Sequence, residues 1–75
     1  MDYKHVDRYI KLGLNIAYYR KLQGITQEEI AEHLDGATDH ISKIERGLVG
    51  VSLDRLFDIA DFLGVEPHKF FEFRD

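Results

Sequence analysis

Along this chain the apolar residues recur at intervals of three and four, and no β-branched run alternates with polar residues at period two. That spacing lays side chains on one face of a helix and is useless to a strand, so helices are the only regular elements expected. Leu12, Ile16 and Tyr19 mark one face of a first helix, continued upstream by Val6, Tyr9 and Ile10. Leu53, Leu56, Ile59, Ala60 and Leu63 give a later helix an apolar stripe. At 75 residues the chain has room for one core, so residues 1–75 are read as a single domain. A chain this short buries only about 60% of its unfolded surface, and nearly every apolar residue is needed inside.

The punctuation between helices is local. Gly24, with Lys21 in the preceding turn, stops the first helix. Thr26-Gln27-Glu28-Glu29 has the form of a capping box, in which the Thr26 hydroxyl accepts from the Glu29 amide and Glu29 reaches back. Ile25 and Ile30 stand at the two positions of a hydrophobic staple around it. This second helix continues through Ala31 and Leu34 to Asp35-Gly36. A third runs from about Thr38 to Gly47 with Ile41 and Ile44 inward. Ser52 caps a fourth, closed by Gly64, and Glu66-Pro67 opens a last short helix that plugs the core with Phe70 and Phe71. The expectation is all-α, five helices. Gly13, inside the first helix at a cost of about 1 kcal/mol against alanine, signals close approach of another element.

Composition removes several classes of activity. Cysteine is absent, which excludes a disulfide framework, thiolate metal sites and a thiol nucleophile. His5, His33, His40 and His68 have no metal-ligand spacing, and no serine or aspartate stands with a histidine in a nucleophile–base pattern. No apolar run approaches a membrane span. We therefore expect a soluble cytoplasmic protein with no cofactor, no small-molecule substrate and no enzymatic activity. The net charge is −4, but unevenly spread: residues 1–22 carry +3, residues 23–37 carry −4, residues 38–47 balance, and the rest carry −3. A polyanion has to be met by one face.

Only about three residues separate the second and third helices, which forces a steep crossing rather than an antiparallel hairpin. Small Ala31 lets the third helix cross closely, and Leu34, Ile41 and Ile44 hold the pair against the first and fourth. The outer face of the third helix, Thr38, Asp39, Ser42, Lys43 and Arg46, is left free for a ligand. A helix of this width fits the DNA major groove.

Gln27-Glu28-Glu29-Ile30-Ala31 followed by His40-Ile41-Ser42-Lys43-Ile44-Glu45-Arg46-Gly47 resembles the phage-repressor and Cro-type (XRE-like) helix-turn-helix family. The resemblance runs from about Leu12, through Ile16 and Arg20, to Leu63-Gly64-Val65 and Phe70-Phe71. It implies a sequence-specific transcriptional regulator that binds double-stranded DNA as a homodimer, with a recognition helix over about 38–46. In that family the place of Gln27 contacts a backbone phosphate, and a helix N-terminus suits an anion. Thr38 and Asp39, with Ser42 and Lys43 one turn on, occupy the base-reading positions: Lys43 for guanine O6 or N7, the Thr38 methyl for thymine, Asp39 for cytosine N4. Arg46 lies where phosphate is touched again. The resemblance also implies a buried ion pair between Arg20 and Glu45 that braces the third helix.

Three departures stand beside this likeness. Ala37 replaces the usual serine or threonine cap before the recognition helix. The glycine of the turn is shifted by one, as Asp35-Gly36. The loop Leu48-Val49-Gly50-Val51 is apolar where a base for phosphate is common, with Val51 expected inside and Leu48 and Val49 available for self-association. Tyr3, Tyr9 and Phe73 are further candidates for packing a partner subunit. These departures and the acidic balance keep open an alternative: a protein-interaction module, antitoxin-like or regulatory, that retains the fold with weak or no DNA binding.

Overall fold

The computed structural model describes residues 3–73 and, among them, contains helices and no strands. Four α-helices follow one another: α1 over Val6–Leu22, α2 over Gln27–His33, α3 over Thr38–Glu45 and α4 over Leu53–Leu63. Short 3-10 segments, Tyr3–His5 and Pro67–Phe71, flank them. The expected fifth helix is therefore a 3-10 turn. Pro67 starts it without an amide to donate, and the segment is only five residues long before the chain extends again.

The local signals act as their chemistry dictates. Thr26 Oγ1 accepts from the Glu29 amide at 3.0 Å and Glu29 Oε1 accepts from the Thr26 amide at 2.9 Å, a complete capping box. Ser52 Oγ accepts from the Arg55 amide at the start of α4. The start of α3 has no such bond: Ala37 has extended cap geometry, φ −91° and ψ 142°, but no side chain to use it. The shifted turn also resolves. Leu34 ends α2, Asp35 takes the left-handed conformation at φ 57°, and the Gly36 amide bonds back to the Ala31 carbonyl at 2.9 Å. This is a Schellman-type stop with aspartate where glycine costs least.

Leu12, Ile16, Ile30, Ala31, Leu34, Ile41, Ile44, Leu56, Ile59, Ala60, Leu63 and Phe70 form the core. Tyr9, Tyr19, Val49, Val51 and Phe73 pack partly buried against it. Three expected core residues face out, Ile10 of α1 among them at 40% exposed. Leu53 is 65% exposed because it opens α4 before that helix reaches its neighbours. Phe71 is 51% exposed, since the tight 3-10 turn that buries Phe70 completely rotates the next side chain away. Of the residues proposed for partner packing, Leu48 is exposed, while Val49, Tyr9 and Phe73 are committed to their own core. The side chain of Tyr3 lies outside the described residues.

Helix ends that lack local partners are closed from a distance. Arg55 Nη1 donates to the Leu34 carbonyl at 2.8 Å, joining α4 to the end of α2. Gln23 Nε2 donates to the Leu63 carbonyl at the end of α4. The buried Asn15 amide donates to the carbonyls of Phe70 at 2.8 Å and Glu72 at 3.2 Å, seating the C-terminal turn on α1. Each bond satisfies a carbonyl that a helix terminus leaves open. Among the described residues no buried polar side-chain atom lacks a partner.

Candidate nucleic-acid interface

Three elements converge beneath α3. A Cβ on Gly13 would collide with the backbone carbonyls of Ile44 and Glu45, so glycine alone lets α1 approach the last turn of α3 this closely. Two turns further along α1, Arg20 reaches the same place. Its Nε and Nη2 donate to Glu45 Oε2 and Oε1 at 2.6 and 3.0 Å, a two-pronged ion pair with both residues only 7% exposed. Arg20 Nη1 donates to the Ile25 carbonyl at 2.7 Å just before α2. The buried pair expected between Arg20 and Glu45 is thus formed, and it ties α1, the entry to α2 and the end of α3 together. α3 stops immediately after it: the Leu48 amide bonds to the Lys43 carbonyl at 2.9 Å across Gly47, whose φ is +73°.

With Ile41, Ile44 and Glu45 turned inward, the opposite face of α3 carries the predicted contact residues. Asp39, His40 and Arg46 are exposed, and Thr38, Ser42 and Lys43 are half-buried along the edges. Lys43 Nζ lies 3.1 Å from Asp39 Oδ2, one turn back. The two residues assigned to different bases therefore neutralise one another in the free protein. Arg46 folds back on α3, its Nε donating to the Ser42 carbonyl at 3.3 Å.

Gln27 stands at the first position of α2 and is half-buried. Its Nε2 donates to Glu45 Oε1 at 2.9 Å, a bond the sequence did not suggest. Eighteen residues separate the two, and no helical period links them. Only the crossing of α2 and α3 brings them together.

Residues 16–70 match the helix-turn-helix family. The chain belongs to that family. Within it, α2 and α3 are the helix-turn-helix pair and α3 holds the place of the second, outward-facing helix. An uncharacterised HTH-type transcriptional regulator of Methanocaldococcus jannaschii is 38% identical over 60 residues, spanning 80% of this chain and 91% of that one. The control protein C.BamHI of Bacillus amyloliquefaciens is 41% identical over 49 residues, 65% of this chain and 60% of that one. Among solved structures, the restriction-modification controller protein C.AhdI from Aeromonas hydrophila superposes with a TM-score of 0.85 at 28% identity, covering 92% of this chain and 100% of that one. The DNA-binding domain of BldD superposes with a TM-score of 0.78 at 27% identity, over 87% and 94% of the two chains. The likeness to both structures extends beyond the helix-turn-helix pair to nearly the whole domain.

No helix is long and apolar enough to cross a membrane, and no group of three histidine, cysteine or acidic side chains is arranged to hold a metal among the described residues.

Proposed function

We propose that this protein is a sequence-specific DNA-binding transcriptional regulator that lays α3 in the major groove. The family and the relatives support the class. The observation that carries the reading for this chain is the single polar face of α3, held at a fixed height by the Arg20–Glu45 pair, with Gln27 beside it at the start of α2. Gln27 and Arg46 take flanking phosphates. Lys43 donates to guanine O6 or N7, the Thr38 methyl meets thymine, Asp39 accepts from cytosine N4, and Ser42 bonds at the same step. The eight residues of α3 span only a few base pairs, so a homodimer reading two half-sites completes the site. Regulation follows from occupancy of DNA, and no reaction is part of the reading.

Selection of bound duplexes from a random pool, followed by salt-dependent shift assays, tests this. The bound set is expected to share a two-fold symmetric motif. Lys43→Ala should relax selectivity at one position by about 1–3 kcal/mol, whereas Gln27→Ala should weaken all duplexes alike. A bound set with no shared sequence would overturn the proposal. One observation favours a second reading: Leu53 and Phe57 are exposed on α4 beside Asp54, Asp58 and Asp61, an acidic and apolar face suited to a protein partner. Retention of no duplex at low salt would shift the assignment to that face.

A further inference from the structure

The Glu45 carboxylate is where the scaffold and the proposed phosphate contact meet. It accepts three bonds, two from Arg20 and one from Gln27, and Arg20 is itself held by the Ile25 carbonyl. An ionised carboxylate facing a guanidinium can only accept. The Gln27 carboxamide must therefore turn its nitrogen, and not its oxygen, toward Glu45. One N–H of that nitrogen is used inside, which leaves the second to donate elsewhere from a side chain that is half-buried at the start of α2. The rotamer of a long side chain and the sense of its amide are thus fixed before any ligand arrives, which removes an ordering cost from binding.

Resting on the reading of Gln27 as a phosphate contact, we propose that Glu45 is a positioning residue for DNA binding: it orients the Gln27 amide toward the backbone phosphate, and Arg20 keeps the carboxylate in place for it. On this view the buried pair belongs to the binding site as well as to the fold. A brace alone would influence DNA only through stability. An orienting group must be energetically coupled to Gln27 in the bound state.

The experiment uses the full chain and a duplex selected from the random pool. Affinity is measured against salt for the wild type, Gln27→Ala, the apolar pair Arg20→Met/Glu45→Leu, and the triple variant. Replacing both members of a buried pair with apolar residues commonly preserves stability, and thermal unfolding verifies it. Gln27→Ala should lower affinity about tenfold in the wild type and less than about twofold in the apolar-pair background. The apolar pair alone should lose about five- to tenfold with its log–log salt slope unchanged, because the Gln27 amide is neutral and its phosphate contact releases no counterion. Equal losses from Gln27→Ala in both backgrounds would overturn the proposal while leaving the DNA reading intact. A wild type that retains no duplex would overturn both. If the apolar pair does not fold, amide NMR of the free wild type decides: the Gln27 side-chain protons should be widely split and as rigid as the backbone. Averaged, mobile signals would sink the inference.

Discussion

The last turn of α3 rests on α1, with Gly13 directly beneath the carbonyls of Ile44 and Glu45 and the Glu45 carboxylate bound by Arg20 and Gln27. The first turn has no comparable support. Ala37 provides no cap, Asp35 before it is in a left-handed conformation, and Asp39 and His40 point to solvent. One end of the same helix is built from contacts across the chain, the other from weak local ones. The firm end sets the height and register of the helix on the domain. The soft end carries Thr38 and Asp39, the proposed readers of bases, and can adjust to a groove at small cost.

The firm end should break hardest. Glu45→Leu alone leaves the Arg20 guanidinium buried without its partner, and unfolding in urea should report a loss of about 3–5 kcal/mol. Adding Arg20→Met should restore most of it. A single variant as stable as the double would show that the pair is not buried in solution. Gly13→Ala is expected next in size. Its methyl has only backbone to displace, so α3 must move, at about 1–3 kcal/mol, and the gain in helix propensity of about 1 kcal/mol offsets part of that. A raised melting temperature for this variant would mean that α1 and α3 are further apart than described.

The soft end should instead be open to repair. Ala37 already has the extended geometry that a capping residue uses, so Ala37→Ser can accept from the first-turn amides and should add about 1 kcal/mol. Asp35→Gly relieves the left-handed strain and should add a similar or smaller amount. The two changes lie in one short turn, so a stability measurement on the pair also reports whether they act independently. If stiffening this end lowers affinity for the selected duplex, softness there serves binding. Unchanged affinity would make it an unused weakness.

The same division explains what the sequence made legible. The start of α2 could be read because every participant, Ile25, Thr26, Glu29 and Ile30, lies within six residues. Gly13 announced a close approach because nothing else justifies glycine inside that helix. The Arg20–Glu45 pair came from the family pattern, and no periodicity implies it. What was not legible depends on where helices end up relative to one another. Gln27 on Glu45, Arg55 on the Leu34 carbonyl and Asn15 on the carbonyls of Phe70 and Glu72 join residues 18 to 57 positions apart. Leu53 and Phe71 failed as core residues for a related reason. Apolar spacing says which residues share a face, but not where along a helix its neighbours begin.

The smallest effect concerns the bridge between Asp39 and Lys43. Asp39 is largely exposed and Lys43 about half, and such an i,i+4 pair contributes only about 0.3 kcal/mol to stability, less in salt. Asp39→Asn should therefore leave unfolding almost unchanged. Its influence on DNA should be clearer, because it removes a negative charge from the face that meets phosphates and releases Lys43 from the acid it pairs with. Affinity for unrelated duplexes should rise by a few fold at low salt and fade as salt screens it. If Asp39 also accepts from a cytosine amine, affinity for the selected duplex should fall or hold while the others rise, so the ratio between them contracts. Measured together, the two affinities separate a carboxylate that merely restrains Lys43 from one that reads a base. A uniform rise across all duplexes, with the ratio intact, would leave Asp39 the first role only.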